Sequence, residues 1–181
     1  MKKIVIIGPE CTGKSTLCEQ MAAHYNTGWV KEYAREYLLK NGTDYSYENL
    51  LDIAKGQVAA EDLATRLQPA ANRQLLFIDT DMYVMKVWCE FVFERCHHWI
   101  LNRIVERKYD LYLLCNTDLP WVKDELREYP DLATREKLYT HYKDIMVNQH
   151  VPWVDISGDY EQRLQKAIEA VDGLSSLPPR P

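Results

Sequence analysis

The stretch from Gly8 to Thr16, near the start of the chain, contains a gapless match to the phosphate-binding pattern G-x-x-x-x-G-K-[ST], which ends at Ser15. The preceding residues 3–7 are apolar and mostly β-branched, which predicts a strand buried on both faces. Apolar side chains then recur at helical spacing from Leu17 to Tyr25. Because this pattern requires a strand before it and a helix after it, the segment predicts a site for ATP or GTP. Its predicted nucleotide-binding residues are Gly8, Glu10, Cys11, Thr12, Gly13, Lys14, Ser15 and Thr16.

The residue types of this loop suit a nucleoside triphosphate. Backbone N–H groups that point into the loop can hold phosphate oxygens, and the helix beginning near Lys14 adds roughly half a positive charge at its N-terminus. Lys14 can reach the β- and γ-phosphates, and Ser15 can ligate Mg²⁺. The two glycines permit backbone conformations that a Cβ would obstruct. The alternative interpretation is a glycine turn with a solvated lysine.

Composition limits the classes of protein to which the chain can belong. With 181 residues, 46% of them hydrophobic, it is long enough for one domain with a full core. The longest apolar run is far shorter than a membrane span, and the first strand leaves no room for a signal peptide. Five cysteines without a C-x-x-C pair predict reduced thiols in a cytoplasmic protein. Because the net charge is −5 and no basic stripe is present, we expect neither nucleic acid nor a membrane as a partner.

Further apolar runs along the chain predict an α/β fold. Besides the first strand at 3–7, strands are predicted at 29–32, 74–79, 110–115 and 152–156. Segments with helical spacing or helix propensity separate them. This alternation predicts a P-loop NTPase fold, with a five-stranded, mostly parallel sheet, helices on both faces and a helical lid. Residues 1–174 are predicted to form this one domain, and residues 175–181 a loose tail.

Polar residues follow the predicted strands at the edge where a parallel sheet gathers its ligands. Asp79 ends the third strand as a Walker-B carboxylate does, placed to hold Mg²⁺ together with Ser15. A strand-end or helix-cap aspartate is the alternative. Asp81 is either a second acidic group in the cleft or the cap of the next helix. Ser157 and Gly158, after the fifth strand, either border the purine of the nucleotide or form a plain loop.

Glu32 and Arg35 follow the second predicted strand. A carboxylate there can accept the proton of an attacking hydroxyl, and an arginine can stabilise the transferring phosphate. A solvated pair at the start of a helix is the alternative. After the fourth strand, residues 121–148 are predicted to be largely helical with a break near Pro130, and Arg127 in this region suits a lid over the phosphates. An ordinary charged helix face is the other interpretation.

Three further motifs give the chain a family resemblance. After the loop with its Pro-Glu-Cys-Thr insert, they are Glu32-Tyr33-Ala34-Arg35-Glu36, Phe77-Ile78-Asp79-Thr80-Asp81 and Trp121-Val122-x-x-x-Leu126-Arg127. Together they make residues 4–156 similar to the ribosylnicotinamide kinase domain of the NadR family, an AAA-type ATPase-like P-loop kinase. The resemblance implies transfer of phosphate from ATP to nicotinamide riboside, giving ADP and nicotinamide mononucleotide. Under this hypothesis the catalytic residues are Lys14, Glu32, Arg35, Asp81 and Arg127, with Glu32 the first choice of base and Asp81 the second.

The chain also departs from the family pattern. It begins at the first kinase strand, so the adenylyltransferase and DNA-binding parts that often precede this domain are not expected. Position 31 is lysine, where an aromatic residue commonly precedes the Glu-Tyr-x-Arg-Glu run. The predicted acceptor is therefore nicotinamide riboside or, as the alternative, another nucleoside-like molecule. A regulatory NTP-binding switch is the rival from a different class, but residues 79–82 offer no glutamine to position a water, which favours the kinase. The oligomeric state is left open.

Overall fold

The protein, described here by a computed structural model for residues 1–67 and 74–174, is built around one parallel sheet. The predicted tail at 175–181 lies outside the described residues. The strands are β1 (Lys2–Ile7), β2 (Gly28–Val30), β3 (Leu75–Asp79), β4 (Leu111–Cys115) and β5 (Trp153–Ile156). Their order across the sheet is β2-β3-β1-β4-β5, and each neighbouring pair is parallel. The predicted fold class is confirmed.

Helices separate the strands in sequence and cover the sheet. Within the described ranges they are α1 (Lys14–His24), α2 (Tyr33–Asn41), α3 (Tyr47–Leu67), α4 (Met82–Phe93), α5 (His98–Glu106), α6 (Leu132–Asn148) and α7 (Tyr160–Gly173). In the same ranges, none of them combines the length and the apolarity needed to cross a membrane.

The central strand β1 is buried on both faces, as its sequence predicts. Ile4 and Ile6 pack in one cluster with residues of α1 and α7, including Met21 and Ala167. Val5 and its neighbour Ile7 pack on the other face with residues of α4 and α6. Because each buried aliphatic side chain contributes about 1.5–3 kcal/mol, this strand is a main source of stability. It holds the loop that follows it in a fixed place.

The register of the sheet brings the ends of several strands together. β1 lies between β3 and β4, which is where the order of the strands changes direction. Ile6 lies opposite Asp79, and Ile7 lies opposite Leu114, so the loops after β1, β3 and β4 leave the sheet side by side. Open α/β sheets bind their ligands in the crevice at such a point.

The structure corrects the prediction for residues 121–148. They are helical only from Leu132, where α6 begins after its capping residue Asp131. The part at 121–131 is irregular, so the prediction of a helical lid is wrong for these residues. Pro130 lacks the N–H group that a helix interior requires, and side chains from elsewhere in the chain bind the backbone of this part. Those contacts are part of the site.

Candidate active site

The loop after β1 has the geometry that phosphate binding requires. Gly8 has a φ of 141°, and a Cβ placed there would lie 2.6 Å from the carbonyl oxygen of Cys115. Gly13 has a φ of 77° and precedes the first residue of α1. Both positions therefore exclude side chains, and they leave the backbone N–H groups and the N-terminus of α1 at the crevice.

Lys14 and its neighbours are held by the loop itself. The Lys14 side chain is buried, and its Nζ donates a hydrogen bond of 2.8 Å to the carbonyl of Pro9. The Thr12 hydroxyl donates to the same carbonyl at 2.7 Å. The ammonium group therefore lies across the loop at the place where phosphate oxygens would be received.

Ser15 and Asp79 meet as the sequence predicts for a magnesium site. The Ser15 Oγ donates to Oδ2 of Asp79, which ends β3 and is fully buried. Burial, followed by the nearby charge of Glu32, raises the pKa of the Asp79 carboxyl above its usual range. A cation would offset this cost, because it favours the ionised carboxylate. A hydroxyl and a carboxylate oxygen are the donors that Mg²⁺ prefers, so the two residues fit the ion.

Gln57, which the sequence analysis did not single out, fixes the turn after β3. Its Nε2 donates to the carbonyls of Asp79 and Thr80 at 3.1 and 3.0 Å. Its Oε1 accepts a hydrogen bond of 2.7 Å from the N–H of Tyr33, at the start of α2. One buried amide thus ties the Asp79 turn to the segment of Glu32. Nothing in the local sequence around Gln57 distinguishes it from a surface residue of α3.

A cavity of about 250 Å³ opens from the loop toward α2, α4 and α6. Its polar lining includes Glu32, Arg35, Arg127 and Glu128, and its far wall is apolar and aromatic. The apolar wall consists of Leu38, Val84, Val87, Trp88, Phe91, Leu126, Tyr129, Leu138 and Tyr142. The cavity is thus on the β3 side of the phosphate loop, beside the Ser15–Asp79 pair.

Most predicted site residues line this cavity together. They are Gly8, Glu10, Cys11, Thr12, Gly13, Lys14, Ser15, Thr16, Glu32, Arg35 and Arg127. Asp79 and Asp81 are not on its surface, but Asp79 reaches it through Ser15. Ser157 and Gly158 also lie away from it, on the opposite side of the loop.

Asp81 is the capping residue of α4. Its Oδ1 accepts hydrogen bonds from the N–H groups of Tyr83 and Val84 at 2.9 and 3.4 Å, and its Oδ2 accepts one of 2.8 Å from the Tyr112 hydroxyl. Burial raises the pKa of the Asp81 carboxyl to about 7. Of the two interpretations that the sequence left open, the structure shows the cap. Since both oxygens are engaged, Asp81 is less suited than Glu32 to take a proton from a substrate.

Glu32 lies between the turn after β3 and the cavity. Its Oε1 is 3.5 Å from the hydroxyl of Thr80, which is the donor of a weak hydrogen bond. Glu32 also lines the cavity, where a carboxylate can act as a general base. Arg35, one helical turn further on, forms a bidentate pair with Asp124 at 3.2 and 2.9 Å.

The irregular part after β4 is bound by the phosphate loop. We call residues 120–129 the 120–129 segment. The Glu10 carboxylate accepts hydrogen bonds from the N–H groups of Glu128 at 2.9 Å and Tyr129 at 2.6 Å, and a longer one of 3.5 Å from Nε1 of Trp121. The Cys11 Sγ accepts a hydrogen bond of 3.2 Å from the N–H of Val122. The predicted nucleotide-binding side chains of Glu10 and Cys11 thus contact this segment.

Arg163 organises the other side of the loop and was missed by the sequence analysis. Its buried guanidinium donates to the carbonyls of Thr12, Gly158 and Asn116 at 2.7 to 2.9 Å, and it also pairs with Asp118. The phosphate loop is therefore fastened to the turns after β4 and β5. The sequence gives no local signal for this role, because Arg163 occurs in an otherwise ordinary helix.

Comparison with known protein families now places the chain. A family model described as an AAA domain matches residues 3–163, which is most of the chain. The chain belongs to this family. It is also 29% identical over 176 residues to the trifunctional NAD biosynthesis/regulator protein NadR of Escherichia coli K12, and equally so to NadR of Salmonella typhimurium LT2. These matches cover 94% of the chain but only 42% of each NadR, so the chain spans less than half the length of these relatives.

Solved structures show the same fold. A crystal structure of NadR in complex with NR superposes with a TM-score of 0.82 at 22% identity, covering 99% of the chain and 51% of NadR. NadR in complex with NAD and AMP-PNP gives a TM-score of 0.73 at 20% identity, with the same coverage of both chains. Thymidylate kinase from Candida albicans gives 0.66 at 16% identity, covering 96% and 92% of the two chains. The predicted resemblance to the NadR family and the P-loop NTPase fold are confirmed.

Proposed function

We propose that this protein is an ATP-dependent kinase that phosphorylates nicotinamide riboside to nicotinamide mononucleotide. The observation that supports it most directly is the cavity of about 250 Å³ that joins the phosphate loop to Glu32 and to an aromatic wall. A hydroxyl in this cavity would lie beside both a base and the end of a triphosphate. The NadR structure that superposes with a TM-score of 0.82 contains NR, the usual abbreviation of nicotinamide riboside.

The donor is held by the phosphate loop. The backbone N–H groups and the N-terminus of α1 bind phosphate oxygens, and Lys14 neutralises charge on the β- and γ-phosphates. Ser15 and Asp79 would hold Mg²⁺, which supplies charge neutralisation between the phosphates. Because the cavity with Glu32 is on the β3 side of the phosphate loop, the γ-phosphate of bound ATP would point into it. The adenosine of the same ATP would then extend in the other direction, toward Gly158 and Arg163.

The transfer step uses groups that line the cavity. The acceptor hydroxyl oxygen forms a bond to the γ-phosphorus while the bond from this phosphorus to the β–γ bridging oxygen breaks. Glu32 accepts the proton of the hydroxyl, and ADP leaves with the bridging oxygen. Arg35 and Arg127 stabilise the negative charge on the transferring phosphoryl group.

Two carboxylates and several aromatic side chains in the lining suit a cationic aromatic acceptor. Glu32 and Glu128 line the cavity together with Trp88, Phe91 and Tyr129, and the cationic side chains that also line it would be engaged by the phosphates in the proposed reaction. The pyridinium ring of nicotinamide riboside then gains from the two carboxylates and from contact with the aromatic side chains, whereas a neutral base gains only from the latter.

A second acceptor class has one observation in its favour. Lys31 occupies the position where the family pattern has an aromatic residue, and its Nζ lies 5.7 Å from the ring of Trp29. Another nucleoside-like acceptor is therefore the alternative for the same chemistry.

The test measures ADP release from ATP with single acceptors, namely nicotinamide riboside, uridine, cytidine, adenosine and thiamine. We expect ADP release to require an acceptor and to be fastest with nicotinamide riboside, and mass spectrometry to identify nicotinamide mononucleotide. Faster ADP release with a neutral nucleoside would show that nicotinamide riboside is not the preferred acceptor, while the proposal of a kinase would still stand. Release at the same rate without any acceptor would favour the regulatory switch.

A further inference from the structure

The Glu10 carboxylate is unusual for a residue of a phosphate-binding loop, because a negative charge there opposes a polyphosphate. Its two oxygens are bonded instead to the N–H groups of Glu128 and Tyr129, with Nε1 of Trp121 as a longer third contact. Hydrogen bonds to a charged acceptor are stronger than those between neutral groups. The side chain is therefore turned toward the 120–129 segment.

That segment depends on such contacts for its position. It has no helix or strand of its own, so tertiary hydrogen bonds hold its backbone. Besides Glu10, its polar contacts with other elements include the Cys11 Sγ with the N–H of Val122, Arg35 with Asp124, and the Tyr45 hydroxyl with Glu128. Leu126 and Tyr129 of the segment also pack against buried apolar clusters. The Arg35 side chain is half exposed, and exposed ion pairs contribute only about 0–1 kcal/mol, so among these polar contacts the charge-assisted hydrogen bonds to Glu10 hold the backbone most firmly.

The same segment contributes to the wall of the cavity. Leu126, Arg127, Glu128 and Tyr129 all line it, and two of these four residues are bonded to Glu10 through their own backbone N–H groups. The position of Glu10 in turn follows from the phosphate loop, between Gly8 and Gly13. A change in the loop that moves Glu10 therefore moves this wall.

We propose that Glu10 is a positioning residue that couples the phosphate loop to the acceptor side of the cavity. It sets the place of Arg127 and Tyr129 through the segment's backbone, and it takes no direct part in holding phosphate. Because coupling between two sites is reciprocal, nucleotide binding strengthens acceptor binding through this contact, and acceptor binding strengthens nucleotide binding equally. The acceptor half of this proposal rests on the kinase function proposed above.

The first test needs no activity. Glu10→Gln keeps the size of the side chain but replaces one acceptor oxygen with an NH₂ group that faces a backbone N–H. We expect amide hydrogen exchange at Glu128 and Tyr129 to become about tenfold faster, since a hydrogen bond to a charged group is lost. Glu19→Gln, on the exposed side of α1, removes the same charge and should leave this exchange unchanged. Wild-type exchange in Glu10→Gln would overturn the proposal.

The second test separates positioning from phosphate binding. In Glu10→Gln we expect the acceptor KM to rise about tenfold, while the Kd of AMP-PNP changes less than about threefold. The strengthening of acceptor binding by AMP-PNP should also fall. Glu10→Asp, which keeps the charge, should restore part of the loss. If AMP-PNP affinity falls as much as acceptor affinity, Glu10 is a nucleotide ligand and the proposal is wrong. If wild type phosphorylates no acceptor, the kinase proposal fails, while the exchange result still decides the role of Glu10.

Discussion

The hydroxyl of Ser15 donates a hydrogen bond of 2.5 Å to Oδ2 of Asp79, a residue 64 positions later in the chain. The contact joins the N-terminus of α1 to the end of β3, because Ile6 and Asp79 are paired in the sheet. It therefore depends on the register of the two strands and not only on the two residue types. A shift of one residue would turn Asp79 to the other face of the sheet.

Replacement of the loop lysine should remove activity and leave the fold intact. In Lys14→Ala, we expect turnover to fall by on the order of 10²–10³, as with the loss of one preorganised electrostatic stabiliser. Within the described residues the Lys14 side chain donates its hydrogen bond to the Pro9 carbonyl of the same loop, so thermal unfolding should change little. The measurement is steady-state ADP release together with a melting curve. Turnover within tenfold of wild type would exclude this residue from phosphate binding.

Glu32 and Asp81 can be distinguished by their isosteric amides. Glu32→Gln should lower turnover by about 10²–10⁴, which is the usual contribution of a general base. Asp81→Asn should stay within tenfold of wild type, because its carboxylate caps α4, accepts a hydrogen bond from Tyr112 and is not part of the cavity lining. Both variants are assayed with nicotinamide riboside after their fold has been checked. An inactive, folded Asp81→Asn beside an active Glu32→Gln would move the base to Asp81.

Arg127 should act on the transferring phosphoryl group more than on bound ATP. We expect Arg127→Ala to lower kcat by about 10², while the Kd of AMP-PNP stays within threefold. Lys123→Ala, which removes a charge from the same segment at an exposed position, is the control. Parallel losses of kcat and nucleotide affinity would instead make Arg127 a ligand of the ground state.

The buried Asp81 predicts a dependence of stability on pH. Its pKa is raised to about 7, above the ordinary value of 3.8, so the folded protein retains a proton that the unfolded chain has lost. The folded state then binds more protons between these values, and the free energy of unfolding falls as pH rises, by at most about 1.4 kcal/mol per pH unit.

Urea unfolding of wild type and Asp81→Asn from pH 4 to pH 8 measures this contribution. The difference between the two proteins should grow in favour of the variant as pH rises through this range and level off above pH 7. Asp52→Asn, at an exposed position on α3, should follow wild type throughout. A difference that does not vary with pH would contradict the prediction.

A side chain at Gly56 should destabilise the fold, although this glycine is within a helix. A Cβ there would lie 2.0 Å from Cε1 of Tyr33, so the tyrosine ring must move. We expect Gly56→Ala to lower the free energy of unfolding by about 1–3 kcal/mol, despite the better helix propensity of alanine. Gly173→Ala has open space around its Cβ and should be neutral or stabilising. Equal stability of the two variants would show that the Tyr33 ring can adopt another rotamer without a loss of stability.

Local patterns predict the strands and the phosphate loop well, because each depends on neighbouring residues. The irregular 120–129 segment could not be predicted in this way. Its residues have ordinary helix propensity, and the Glu10 carboxylate that binds its backbone comes from 118 positions earlier in the case of Glu128. The roles of Gln57 and Arg163 could not be predicted from the sequence for the same reason. A buried polar side chain is recognised only once its distant hydrogen-bond partners are known. The sequence around Asp81 is equally compatible with a helix-capping residue and with an acidic group in the binding cleft.

The bond from Arg163 to the carbonyl of Thr12 spans 151 residues of sequence. The ribosome makes the phosphate loop first, and the side chain that fixes its backbone emerges only near the end of synthesis. At about 5–20 residues per second, Arg163 is synthesised roughly 8–30 seconds after the loop. During that time the strands that flank β1 are also being completed. A nascent chain that stops before Arg163 would contain the whole sequence motif but lack the side chain that joins the loop to the turns after β4 and β5.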